Sequence, residues 1–213
     1  MKSLKLEDLA PLSGAAAAGL LMLTAVLFGS YDYFPSAQRT VEIFTTAAGR
    51  ALAIGWIGIL AGLAMVWFGG SVFSWLKQYE SGSGRLAITA MAGGILTGGG
   101  LMVAYSIVYT AAGQVSRFGV IDASNAWTMY SVYTGVMGLV HALILMIGAT
   151  GLVALRTKAF PAWFGWASLI IAVGMATPFD YIFEGVSMLW LVVASLWIFV
   201  RGARRAPQAP AAA

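Results

Sequence analysis

Six long apolar stretches dominate the chain, at roughly residues 12–30, 47–76, 86–110, 126–155, 161–177 and 185–200. About 20 apolar residues are what a helix needs to cross the ~30 Å hydrocarbon core of a bilayer. In lipid a backbone N–H or C=O finds no water, so a stretch of this kind pairs its own polar groups as a helix. The expected fold is therefore all-α, a polytopic transmembrane helical bundle of six spans. It is read as a single domain over residues 1–205, followed at 206–213 by a tail of Ala, Pro and Gln expected to be disordered. Composition enters as a check: only 9% of the 213 residues are charged, where a soluble domain carries about 25%. Too few charges exist to cover a soluble globule, but enough to cap the water-facing ends of spans.

Charge placement sets the expected topology. Nine of the 12 Lys and Arg residues fall on one side of the six spans: Lys2, Lys5, Lys77, Arg85, Arg156, Lys158, Arg201, Arg204 and Arg205. Arg39, Arg50 and Arg117 fall on the other. The excess of basic residues in cytoplasmic loops then places both termini in the cytoplasm, as an even number of spans requires. Glu7 and Asp8 spoil a basic signal-peptide start and no clean small-residue cleavage site follows, so the first stretch is expected to remain as a span. The connections are expected at 31–46, 77–85, 111–125, 156–160 and 178–184. Residues 161–200 leave little chain for two crossings and a turn, which puts the tip carrying Asp180 and Glu184 at or slightly below the outer interface.

The absence of Cys excludes disulfides, thiolate catalysis, Cys-ligated zinc and iron–sulfur clusters, and a single His excludes intrachain bis-His haem. No cofactor and no metal site is expected. Because the basic residues cap helices, no nucleic-acid partner is expected either; the lipid bilayer is, together with a helix of another protein or a second copy of the chain. Glycine numbers 26. Its spacing with Ala at Ala51 and Gly55, Gly58 and Gly62, and Ala90, Gly94 and Gly98 lets helix backbones approach closely. The Gly-rich run at 93–100 lacks the Lys-Ser/Thr of a phosphate loop and a preceding strand, so packing explains it.

Seven of the eight tyrosines, Tyr31, Tyr33, Tyr105, Tyr109, Tyr130, Tyr133 and Tyr181, fall near the expected outer face, as an interfacial aromatic belt would. Asp32, Glu42, Asp122, Asp180 and Glu184 share that side. Together they sketch an acidic, aromatic vestibule suited to a cationic or amphipathic small molecule. His141 should lie near the bilayer midplane. Tyr130, Thr134, Met137 and His141 recur at helical spacing and are expected on one inward face. An intramembrane His either relays protons or contacts a ligand, or it hydrogen-bonds across a helix interface, through Thr97 or Ser106 for instance. Arg50, a few residues into the second stretch, either snorkels to headgroups or pairs with Glu42, Asp180 or Glu184. Trp163 and Trp166, after Pro161, read as interfacial anchors.

The segment Arg156-Thr157-Lys158-Ala159-Phe160-Pro161-Ala162-Trp163-Phe164-Gly165-Trp166, followed by an apolar span and a basic end at Arg201, resembles bacterial integral-membrane families of unknown function. There a short basic loop of pattern x-x-Pro-x-x-x-Gly opens the penultimate helix. The step Ser83-Gly84-Arg85-Leu86-Ala87 into the third span is similar to what actinobacterial members show. The resemblance implies a plasma-membrane protein and supplies no catalytic residues. Three functional classes follow: a non-enzymatic accessory, sensing or scaffold module, which is the expectation; a small-solute transporter or channel running between His141 and the acidic mouth; and a membrane enzyme acting on lipid, for which one His and scattered acids make a poor constellation.

Overall fold

A computed structural model describes residues 6–29, 36–46 and 48–205. Lys2, Lys5, Tyr31, Asp32, Tyr33 and the tail at 206–213 lie outside the described residues. Among the described residues the structure is helical throughout, without strands: α1 (Leu6–Leu9), α2 (Ser13–Phe28), α3 (Ala37–Thr46), α4 (Ala48–Lys77), α5 (Arg85–Phe118), α6 (Ala123–Met137), α7 (Leu143–Arg156), α8 (Ala162–Gly174) and α9 (Asp180–Arg205). Single 3-10 turns at Ala10–Leu12 and Gly138–Ala142 join α1 to α2 and α6 to α7.

Five helical segments are long and apolar enough to cross a membrane: Glu7–Phe28, Ala48–Lys77, Arg85–Phe118, Ala123–Arg156 and Asp180–Gly202. The fifth apolar stretch of the sequence forms only the 13-residue α8, about 20 Å long at 1.5 Å per residue. Large apolar side chains line the outside of these helices as well as the inside. On α4 Trp56, Leu60, Leu63 and Trp67 form an exposed stripe, and on α9 Leu189, Val193, Leu196 and Val200 do the same. Water would penalise such stripes and lipid does not. The pattern is that of a membrane-embedded protein.

Three boundaries differ from those expected. The connection at 31–46 contains α3, whose Thr40 and Phe44 are buried on one face while Arg39 and Glu42 stay exposed. Helix α5 runs on to Phe118, where Gly119, at φ +74° and with its N–H on the Val115 carbonyl, ends it as L-residues rarely can. Helix α9 starts at Asp180, so Asp180 and Glu184 belong to its first turns, and the connection from α8 shrinks to 175–179. An acid in the first turn complements the helix dipole, which accounts for the earlier start.

The described residues fall into two compact units, the first drawn from 16–66 and 94–143 and the second from 6–15, 67–93 and 144–205. In the first unit the small residues of α4 meet α5 as their spacing implies. A Cβ added at Gly62 would lie 2.6 Å from the Gly98 carbonyl oxygen, and one at Gly98 would lie 2.6 Å from that of Gly62. Gly55 abuts the Tyr109 backbone and Gly58 the Tyr105 ring. Helix α3 packs along α6.

In the second unit α7 and α8 approach through Gly151 and Gly165, each held close to the other's carbonyl oxygen. Glu80 caps α5 from outside the helix, its two carboxylate oxygens accepting from the Leu86 N–H at 3.1 Å and the Ala87 N–H at 2.9 Å. Trp190 donates to the Ser168 hydroxyl at 2.8 Å, which satisfies the indole inside the bundle. Trp163 and Trp166 are exposed, as anchors would be.

Candidate functional site

The first unit encloses a cavity of about 350 Å³, within the size range of small-molecule pockets. Short segments of five helices bound it: the end of α2, one face of α3, the start of α4, the last third of α5 and the middle of α6. Its floor is aromatic and apolar, with Phe28, Phe44, Ile54, Val108, Tyr130 and Tyr133. Its rim is polar, with Arg39, Glu42, Thr46 and Arg50. This division follows from the sequence locally. The α3 pattern puts Phe44 inward and Arg39 and Glu42 outward, and the apolar run of α4 begins immediately after Arg50.

Arg39 Nη1 donates to Glu42 Oε2 at 2.8 Å. Both side chains are more than half exposed, so the pair contributes only about 0.2–1 kcal/mol to stability. Its effect on the rim is larger than its effect on the fold: the Glu42 charge is committed to Arg39, and Arg50 supplies a second cation. The described lining thus carries two arginines against one glutamate. An anionic group at the rim is favoured over a cation, which shifts the ligand charge away from that expected of an acidic vestibule.

Behind the floor lies a buried hydroxyl chain. Tyr133 pairs through its side chain with Tyr105. The Tyr105 and Thr24 hydroxyls are 3.0 Å apart, and Thr24 Oγ1 donates to the Leu21 carbonyl at 2.7 Å. The rings pack as well, with Tyr105 edge-on to Tyr133 at 6.0 Å and Tyr130 6.2 Å from Tyr133. Tyr105, Tyr130 and Tyr133 are therefore core residues and not members of an interfacial belt, whereas Tyr109 and Tyr181 are exposed. Satisfied hydroxyls let tyrosines be buried here and hold the cavity floor rigid.

Of the residues singled out from sequence, Glu42, Arg50, Tyr130 and Tyr133 come together in this cavity. Thr134 does not share the inward face of Tyr130: it is exposed, and its hydroxyl returns to the Tyr130 carbonyl at 2.9 Å. The buried stripe of α6 runs through Ala126, Tyr130 and Tyr133, and a small drift of helical phase carries Thr134 out of it. His141 is half-buried in the 3-10 turn, with Met137 just before it. Thr97 Oγ1 reaches across from α5 to the Val140 carbonyl at 3.4 Å, next to His141, and Ser106 donates to its own Val103 carbonyl. His141 is not among the residues lining the cavity. Asp180 and Glu184 belong to the second unit, half-buried at the start of α9, where Asp180 Oδ1 accepts from the Tyr181 N–H at 2.8 Å.

Sequence reasoning missed Phe28 and Phe44 as site residues. For Phe44 the signal was present: Ser36, whose hydroxyl accepts the Arg39 N–H at 3.2 Å, stands as a helix cap ahead of the Thr40 and Phe44 pair at i, i+4.

No protein-family model, no curated protein and no solved structure matches the chain. The cavity's own geometry is what speaks for function.

Proposed function

We propose that the chain is a six-span protein of the bacterial plasma membrane, with both ends in the cytoplasm, that works as a non-enzymatic sensing module. It takes an amphipathic small molecule bearing a compact anionic group into the cavity of the first unit. The observation that carries this reading is the division of the cavity wall into an aromatic floor at Phe28, Phe44, Tyr130 and Tyr133 and a rim where Arg50 adds to an internally paired Arg39. Such a site buries an apolar body and orients a single charged group. The six-span topology rests on the segregation of nine basic residues against three. In it α8 and the turn after it make a short crossing, with the start of α9 near the outer interface. The bacterial membrane rests on the resemblance of the segment at 156–166.

Topology is directly testable because the chain contains no Cys, so every introduced Cys is unique. Labelling of intact cells with a membrane-impermeant maleimide should modify Cys at position 120 and spare Cys at positions 81 and 157. The reverse pattern, or labelling of all three, sinks the six-span orientation.

Ligand binding is tested by photocrosslinking with a diazirine-bearing decanoate on the purified chain in nanodiscs. The label should map to α3 and the middle of α6, and Ala51→Phe should abolish it, because Ala51 lines the cavity at 5% exposure. Arg50→Gln should weaken competition by unlabelled decanoate about tenfold, as expected for losing one charged hydrogen bond. Equal labelling by the matching decanol probe, or labelling untouched by Ala51→Phe, removes the proposal.

A further inference from the structure

The second unit carries a cleft of its own, of about 500 Å³, at the ends of α4, α7 and α9 and the start of α8. Its walls are aromatic. Trp75 stands 5.2 Å from Tyr79 and 6.3 Å from Phe160, and Phe160 lies 6.1 Å from Trp197 between ring centroids. Phe160 continues inward by stacking on Phe164 at 4.7 Å. The connection between α7 and α8 is pinned to these rings. Trp197 Nε1 donates to the Ala159 carbonyl at 3.1 Å, and the Ala159 N–H donates to the Thr157 hydroxyl at 3.1 Å. The cleft is thus built by fixed groups.

Two charged side chains line it, Lys158 and Arg201, and both are cations. Arg201 lies with its guanidinium carbon 4.6 Å from the Trp197 ring centroid. Stacking there restricts the guanidinium and leaves its edge N–H groups available for a phosphate fork. No acid is among the described residues lining the cleft. Glu80, beside Tyr79 in the chain, is occupied in capping α5. The cleft also sits where helices end: α7 stops at Arg156 and α8 begins at Ala162. In a membrane-embedded chain the ends of spans meet the headgroups.

We propose that this cleft binds an anionic phospholipid, its phosphate between Lys158 and Arg201 and its glycerol and upper acyl chain against the aromatic wall. Charge complementarity selects the anion, and the aromatic wall selects a ligand with an apolar body. Lys158 and Arg201 are both exposed, so neither holds a small soluble anion tightly alone; the apolar part of the lipid supplies the rest. Each basic group near an anionic lipid contributes about fivefold in binding. This site is independent of the cavity in the first unit.

The test is native mass spectrometry of the purified full chain in detergent, titrated with phosphatidylglycerol or with phosphatidylcholine of identical acyl chains. Phosphatidylglycerol should be retained preferentially. Replacing Lys158→Gln and Arg201→Gln together should lower its affinity about 25-fold, the product of two fivefold losses. Arg85→Gln, a cation of the same unit that does not line the cleft, should change affinity less than about twofold, as expected of a surface charge that makes no contact with the lipid. Arg201→Lys should fall in between, since it keeps the charge and loses the stacked fork. Circular dichroism of each variant should match that of the parent, which separates lost binding from lost folding. Equal retention of the two lipids, or an Arg85→Gln loss as large as that of the double variant, overturns the site. Displacement of the lipid by millimolar inorganic phosphate overturns it as well, because it identifies a soluble-anion site.

Discussion

Gly98→Leu should unfold the first unit far more readily than Gly99→Leu, although the two substitutions are chemically identical and adjacent. A Cβ at Gly98 would lie 2.6 Å from the Gly62 carbonyl oxygen, 2.7 Å from Val66 Cγ2 and 3.1 Å from the Val66 backbone nitrogen. Two of those neighbours are backbone atoms of α4, which no rotamer change can move aside. Helix α4 would have to shift as a body, and its own Gly62 is equally tight against Gly98. Overpacking of a well-filled core costs about 1–3 kcal/mol, and a clash with backbone belongs at or beyond the upper end. We expect a loss of about 3 kcal/mol or more for Gly98→Leu. At Gly99 an added Cβ meets nothing within 4 Å. There the exchange should be neutral or stabilising by about 0.5–1 kcal/mol, because Gly is a poor residue for a helix interior. Thermal unfolding in detergent, followed by far-ultraviolet circular dichroism, reads both. Equal midpoints for the two variants would show that α4 and α5 do not meet through this glycine pair.

That pair also shows what the sequence made legible. Small residues at four-residue spacing mark a helix contact because lipid supplies no hydrophobic drive for helix association, leaving close approach as the main device. The positions Gly55, Gly58, Gly62 and Gly98 could therefore be read in advance. Long apolar runs likewise foretold α4 and the continuous Ala123–Arg156 segment nearly to the residue. What escaped was structure outside the apolar runs. Helix α3 is polar on one face, so it scores as a connection by hydropathy; only the Ser36 cap with the Thr40 and Phe44 pair betrays it, and without α3 the cavity loses Phe44 and its Arg39 and Glu42 rim. The burial of Tyr105, Tyr130 and Tyr133 escaped for a different reason. A tyrosine belongs at an interface unless its hydroxyl finds a partner, and the partner of Tyr105 is Thr24, 81 residues away in the chain. Thr134 was misplaced by extending one helical face through a segment whose inward stripe turns on Tyr133.

The second large effect is expected from Ser195→Ala, at a residue that no sequence pattern singles out. Ser195 lies on α9 with no exposed surface. Its hydroxyl donates to the Pro11 carbonyl at 2.7 Å and accepts the Ala15 N–H at 2.8 Å. Pro11 and Ala15 stand in an i and i+4 relation, so the hydroxyl of a distant helix occupies the place of one rung of the helical ladder. This insertion coincides with the 3-10 turn at Ala10–Leu12 that separates α1 from α2. The approach needs Gly14, where a Cβ would fall 2.5 Å from Ser195 Oγ and 2.7 Å from the Phe68 ring. Removing the hydroxyl leaves a carbonyl and an N–H without their partner in a part-buried site. Each such orphan costs about 1–3 kcal/mol, and we expect a total of about 2–4 kcal/mol. Ser195→Thr keeps the donor and acceptor and should retain part of that stability, which distinguishes loss of the hydrogen bonds from loss of volume. The local readout is hydrogen exchange at the Ala15 amide: it should quicken in Ser195→Ala together with the fall in unfolding midpoint. An unchanged midpoint with Ala15 still protected would mean that the ladder closes on itself once the hydroxyl is gone, and that α9 does not hold the start of α2 in place.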